Sequence, residues 1–182
     1  MMTTQLERIL QEIQTTVSSI RAEDAEKLVN GILDAKKVFV AGAGRSGFMA
    51  KSFAMRMMHV GLEPYVVGET VTPNLEKGDL FIVGSGSGET KSLVAMAEKA
   101  KSIGAAVAAV TIVPDSSIGR LADIIIEIPA QTKADTTHSS IQPMGSLFEQ
   151  SLLLFYDSLI LLIMEKRGMD ADNMYGRHAN LE

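Results

Sequence analysis

Leu80-Phe81-Ile82-Val83-Gly84-Ser85-Gly86-Ser87-Gly88-Glu89-Thr90 decides the fold. Its first four residues are apolar and read as a buried strand, and helical spacing sets in from Lys91 to about Ile103. The seven residues between them form a strand-to-helix turn with three glycines and three hydroxyls. Glycine lets the backbone approach a ligand closely. The helix that follows begins with unpaired N–H groups and a partial positive charge. With the hydroxyls of Ser85, Ser87 and Thr90, this makes a cradle for a small anion, and phosphate is its natural guest. The same residues also read as a plain turn whose hydroxyls cap the helix. The setting between strand and helix favours the anion site. The lysine of a nucleoside-triphosphate loop is missing, which argues against that class of ligand.

Outward from this turn the pattern repeats. Lys37–Ala41 is a second apolar strand, which leads into Gly42-Ala43-Gly44-Arg45-Ser46-Gly47 and a helix to about His59. Pro64–Val67, Ala105–Ile112 and Ile124–Ile128 complete five strands, with a helix between Lys91 and Ile103 and a short one from Pro114 to about Ala122. Two amphipathic helices precede them: Leu6, Ile9, Leu10, Ile13, Val17 and Ile20 share one face, and Ala25, Leu28, Val29, Ile32 and Leu33 another. Gly68 to Lys77 is a loop, Pro129 to Gly145 is a long polar segment, and Leu147 to about Lys166 is the last helix. The chain is therefore expected to be one domain over 1–182, with N-terminal helices at 4–35, an α/β core at 36–167 and a polar tail at 168–182. Apolar strands alternating with helices predict a doubly wound α/β fold with a five-stranded parallel sheet. Such sheets bind ligands at the carboxyl ends of their strands, where both glycine turns fall.

Composition narrows the function. The 182 residues carry a formal net charge of −5, with no cluster of Lys and Arg, which argues against nucleic acid. Cysteine is absent, so disulfides and thiol nucleophiles are excluded and a cytoplasmic setting is expected. The N-terminus has no apolar signal region, and the run from Ser151 to Met164 reads as too short for a bilayer and better suited to a core or subunit interface.

Several residues then compete for roles. Gly42, Gly44 and Gly47 fit the G-x-G-x-x-G of dinucleotide turns, with Glu69 as a ribose-binding acid, and this oxidoreductase reading ranks second. Ser146-x-x-Glu149 has the spacing of a helix capping box, but Glu149 also suits a general base at the end of the polar segment. His59 closes a helix, where a cation complements the dipole. His138 lies in the polar segment and His178 in the tail. No histidine pair has metal-ligand spacing, so no metal is expected. Arg45 is a candidate for a phosphate contact or for a surface ion pair, and Met55, Met57 and Met58 for core or interface packing.

At Ala41–Gly47, Gly68-Glu69 with Thr72-Pro73, Gly84–Thr90, Gln142–Gln150 and His178–Glu182 the sequence resembles the SIS (sugar isomerase) domain family. The block from Gln142 to Gln150 and the tail resemble the branch of it that interconverts 3-hexulose 6-phosphate and fructose 6-phosphate in the ribulose monophosphate pathway of formaldehyde fixation. The resemblance implies a three-layer αβα sandwich, a phosphosugar isomerase without a cofactor, and a homotetramer. It implies that Ser46, Gly84, Ser85, Gly86, Ser87, Gly88 and Glu89 bind substrate, that Thr90 supports the phosphate and that Glu149 accepts the proton. His59 is a looser catalytic candidate, and Thr72 and His178, like Arg45, are candidates to reach the site. A non-catalytic phosphosugar-binding module remains the other alternative, since it would share the Ser/Gly turn and give Glu149 no role.

Overall fold

The computed structural model describes residues 2–134 and 140–180. Five strands make one parallel sheet: β1 (Val38–Gly42), β2 (Pro64–Val66), β3 (Leu80–Gly84), β4 (Ala106–Thr111) and β5 (Ile124–Glu127), in the order β2-β1-β3-β4-β5. Around it lie α1 (Met2–Ser18), α2 (Ala22–Asp34), α3 (Arg45–His59), α4 (Lys91–Ile103), α5 (Ser117–Leu121), α6 (Ser146–Arg167) and α7 (Ala171–Tyr175). The expected three-layer α/β sandwich is therefore present.

The strands are apolar on both faces because both faces are covered. Their side chains alternate between two cores. Val38, Val40, Leu80, Ile82, Ala108 and Val110 pack with Leu28 of α2, Phe53 and Met57 of α3, and Phe155, Tyr156 and Leu159 of α6. Phe39, Ala41, Phe81, Val83, Val107 and Ala109 face the other way, onto Leu93, Ala97 and Ala100 of α4 and Ile118 of α5. The period of two along each strand sets this division.

Four local features refine the sequence expectation. The polar tail winds one short helix, α7. Within the stretch Pro114–Ser117 that starts α5, Ser116 is the N-cap, accepting from the Gly119 amide at 3.2 Å. By length and hydropathy α6 is long enough to cross a membrane. Its packing instead puts eleven of its residues, from Ser146 to Ile163, in the protein interior. Finally, Leu6 and Leu10 on the apolar face of α1 remain more than half exposed. The polar side of α1 is better anchored. Glu12 accepts hydrogen bonds from the Ser140 hydroxyl at 3.0 Å, the Ile141 amide at 2.8 Å and the Gln142 side-chain amide at 3.2 Å, and so ties α1 to the segment that leads into α6.

Candidate active site

Three helices, α3, α4 and α6, start at the carboxyl edge of the sheet, and their N-termini open onto one cleft of about 570 Å³. Ala43 contributes from the turn before α3 and Ser46 from α3 itself, Gly84 to Ser87 with Glu89 and Thr90 from the turn before α4, and Phe148 and Glu149 from α6 with Gly145 at its N-cap. Lys133 and Thr132 close it from the polar segment. That size suits a small metabolite, and three converging helix N-termini favour an anionic one.

The Ser/Gly turn is held from within. Ser85 donates its amide to Val110 at 3.0 Å, and its hydroxyl accepts from the Gly88 amide at 3.2 Å. The Ser87 hydroxyl accepts from the Glu89 amide at 3.2 Å. Gly88 has φ +64°, and a Cβ there would stand 1.9 Å from Ser116 Oγ, so no side chain fits. Thr90 takes the N-cap position of α4 without using its side chain as a cap. The capping alternative for that hydroxyl is thus not realised. Ser46 and Thr90 have no hydrogen-bond partner for their hydroxyls among the described residues, and both line the cleft. The carboxylate of Glu89 is committed elsewhere. It accepts from the Ser117 amide and the Ser117 hydroxyl, each at 2.7 Å, and the Ser117 hydroxyl bond chiefly holds it below the ordinary carboxylate range. Any contribution of Glu89 to an anion site therefore comes from its backbone.

Glu149 is 2% exposed and makes no capping box. Gly145 occupies the N-cap position of α6, without a side-chain cap, and Ser146 is already helical. The serine hydroxyl accepts instead from Arg45 Nη1 at 3.1 Å. The carboxylate of Glu149 stands between two cations, with Oε2 3.1 Å from Arg45 Nε and Oε1 3.3 Å from Lys133 Nζ. A carboxylate removed from water needs such partners. Here they leave it at the cleft wall with two positive charges beside it. Arg45 thus makes an ion pair, as one of its two readings expected, but an ion pair of the site and not of the outer surface.

Other candidates lie elsewhere. Thr72 donates its hydroxyl to the Val66 and Glu69 carbonyls at 2.7 and 2.8 Å, and so closes the loop after β2. It lines a separate apolar groove beside α4, and Glu69 is exposed on the turn after β2, outside the cleft. The dinucleotide reading loses its acid on that account. His59 ends α3 as its fifteenth residue, which puts it about 21 Å along the axis from the helix start at the cleft. It lies in the last turn of α3, as the sequence reading has it, and is 3% exposed, with Arg56 Nη1 3.4 Å from its Nδ1. The His178 ring stacks on it at 5.5 Å. One chain therefore brings His59 and His178 together but does not bring them to Glu149. His138 lies outside the described residues. Met57 is in the core, and Met55 and Met58 are on the surface. Lys133 is the site residue that sequence reasoning missed, since nothing in the spacing of the polar segment singles it out. Among the described residues no three His, Asp or Glu side chains converge as a metal site would require.

A three-layer sandwich with a Ser/Gly anion turn at the sheet edge is the architecture of sugar isomerase domains, and the SIS domain model matches residues 31–160. The chain belongs to the SIS domain family. It is 56% identical over 176 residues to the 3-hexulose-6-phosphate isomerase of Bacillus subtilis, covering 96% of this chain and 95% of that protein. The Mycobacterium gastri protein of the same name is 42% identical over 99% of this chain and 91% of its own length. A Methanococcus jannaschii crystal structure, from which a 3-hexulose-6-phosphate isomerase function was inferred, superposes with a TM-score of 0.85 at 35% identity, covering 98% of this chain and 99% of that one.

Proposed function

We propose that this protein is a phosphosugar isomerase that interconverts 3-hexulose 6-phosphate and fructose 6-phosphate through a 2,3-enediolate. The observation that carries the reading is the buried Glu149 carboxylate in the wall of the cleft that the Ser/Gly turn also lines. The agreement of that chemistry with the names of relatives up to 56% identical adds to it.

The phosphate sits in the turn from Gly84 to Thr90, facing the α4 N-terminus, with the Ser46 and Thr90 hydroxyls as donors. Those contacts are remote from the reacting carbons. Their binding energy aligns the C2–H bond with Glu149. Glu149 takes the C2 proton and returns it to C3, so one carboxylate serves both half-reactions. Arg45 holds the carboxylate in place from α3. The chemistry moves protons between neighbouring carbons and calls for no redox partner.

His59 and His178 enter only if another copy of the chain brings the far end of its α3 to the cleft. A homotetramer in the cytoplasm is the setting we assign. Phe48 and Met55 of α3, Leu161 of α6 and Leu6 and Leu10 of α1 support association, since all five are more than half exposed. Light scattering that finds only a 19.6 kDa species contradicts it.

The enzymatic reading is tested with fructose 6-phosphate in deuterated water, without added cofactor, by NMR. Loss of the C3 proton signal with growth of the 3-keto sugar is the expected result. Binding without exchange returns the protein to the class of phosphosugar-binding modules.

A further inference from the structure

Lys133 stands where the reaction needs an electrophile. Its Nζ lies 3.3 Å from Glu149 Oε1, and this is its one partner among the described residues. Arg45, on the other oxygen, is anchored twice on α6, through Glu149 Oε2 and through the Ser146 hydroxyl. The two cations therefore differ in freedom. The guanidinium, on a side chain 54% exposed, makes two contacts with α6, and the ammonium, on a flexible four-carbon stem, makes one. The Lys133 side chain is 55% exposed against 3% for Glu149, so the ammonium covers the carboxylate on its open side. Any carbon presented to Oε1 arrives where the ammonium now rests.

The backbone makes room for this arrangement. A Cβ on Gly145 would stand 3.0 Å from Lys133 Cε, 3.5 Å from its Cγ and 3.4 Å from Glu149 Oε1. Glycine at the first position of the turn into α6 opens the slot through which the lysine stem reaches the carboxylate. Within one chain the other candidates for an electrophile are distant, since Thr72 is bonded to its own loop and His59 is at the opposite end of α3.

We infer that Lys133 is a catalytic residue, the electrophile that stabilises the enediolate, an inference that rests on the isomerase reading above. Substrate binding draws the ammonium from Glu149 to the oxygens on C2 and C3. Glu149 Oε1 then takes the C2 proton. The C–H electron pair becomes the C2–C3 double bond, and the π pair of the C3 carbonyl moves to O3. The ammonium gives one proton to O3, and its nitrogen takes the proton from O2. The carboxyl returns its proton to C3 as the C2 carbonyl forms, and both side chains end as they began. Positive charge thus follows negative charge from the carboxylate to the sugar, which is where electrostatic stabilisation lowers the barrier.

The test uses Lys133→Met, which keeps the stem over Gly145 and removes the charge, and two phosphorylated probes. A sugar-phosphate hydroxamate carries the planar oxygen pair of an enediolate, and a hexitol 6-phosphate carries phosphate and hydroxyls without it. The expected result is a fall in kcat of about 100-fold, with KM held within about 3-fold. Hydroxamate affinity should fall by a similar factor, while hexitol phosphate binding and the melting temperature stay as in the wild type. Retained turnover overturns the inference. So does an equal loss for both probes, which makes the lysine a phosphate contact. A wild-type protein that fails to convert fructose 6-phosphate removes the proposed function, and this inference with it. A wild-type enzyme with an active Lys133→Met variant removes the inference alone.

Discussion

Gly42 and Gly84 end neighbouring strands and sit opposite one another in register, yet they are glycines for different reasons. A Cβ on Gly42 would meet the backbone of Ser46 and Gly47 at 2.9 Å, and one on Gly47 would meet the Gly42 carbonyl oxygen at 2.7 Å. That turn uses its glycines to press strand and helix together, as dinucleotide turns do. A Cβ on Gly84 would meet side chains instead, Leu152 and the Tyr156 hydroxyl, each at 3.1 Å. The Gly84 position clears space above α6, and the hydroxyl residues of its turn line the cleft. The two turns space their glycines differently, as G-x-G-x-x-G and G-x-G-x-G, and the second carries three hydroxyls to the first turn's one.

The contrast holds only if the second turn serves chemistry. The largest effect expected is that of Glu149→Gln, which lowers turnover by about 10³-fold while hexitol 6-phosphate still binds and the melting curve keeps its shape. Near-normal proton exchange in that variant breaks the assignment of the base. Next comes Gly88→Ala. The positive φ and the Ser116 hydroxyl beneath it distort the cradle. KM should rise at least about 10-fold and stability fall by about 1–3 kcal/mol, read from steady-state kinetics and urea titration. Gly42→Ala should cost a similar about 1–3 kcal/mol but change kcat and KM of the folded fraction by less than about 3-fold. Equal kinetic damage from both glycine variants would erase the distinction between the turns.

The smallest effect sharpens the comparison at its rim. The folded pKa of Glu89 is depressed by its bonds to Ser117. A depressed carboxylate contributes stability that is present above its unfolded pKa, about 4.3, and is lost as pH falls through the folded value. Glu89→Gln should flatten the acid limb of a melting-temperature profile below about pH 4.3 and leave turnover near neutral pH unchanged. Loss of activity at neutral pH would give the carboxylate itself a part in binding.

The five strands and the main helices were legible because apolar runs bounded by glycine and proline have few other solutions. The Ser/Gly turn and Glu149 were legible by motif. The remainder depended on contacts that local spacing does not encode. Arg45 reaches Ser146 across 101 positions. Ser146-x-x-Glu149 has the spelling of a capping box, but Arg45 and Lys133 bind the carboxylate and Gly145 moves the helix start. Thr72 stands in a resembling segment and is bonded to its own loop. His59 was visible as a helix end, and the axis of α3 is what carries it away from the cleft. Tyr156 shows the same limit. Its hydroxyl lies beneath Gly84 without a hydrogen-bond partner among the described residues, and burial raises its pKa, so it supports the turn as a neutral, packed ring stacked on Phe53 at 4.3 Å.

The triple hydrogen bond of Glu12 has a consequence in time. Its partners Ser140, Ile141 and Gln142 are made by the ribosome some 130 positions after it. A nascent chain that has reached β5 already holds all five strands and the whole Ser/Gly turn, but it lacks Glu149 and the helix that cores one face of the sheet. Until then α1 has no anchor for its acidic side. The clasp that joins the first helix to the last third of the chain is among the final pieces to close.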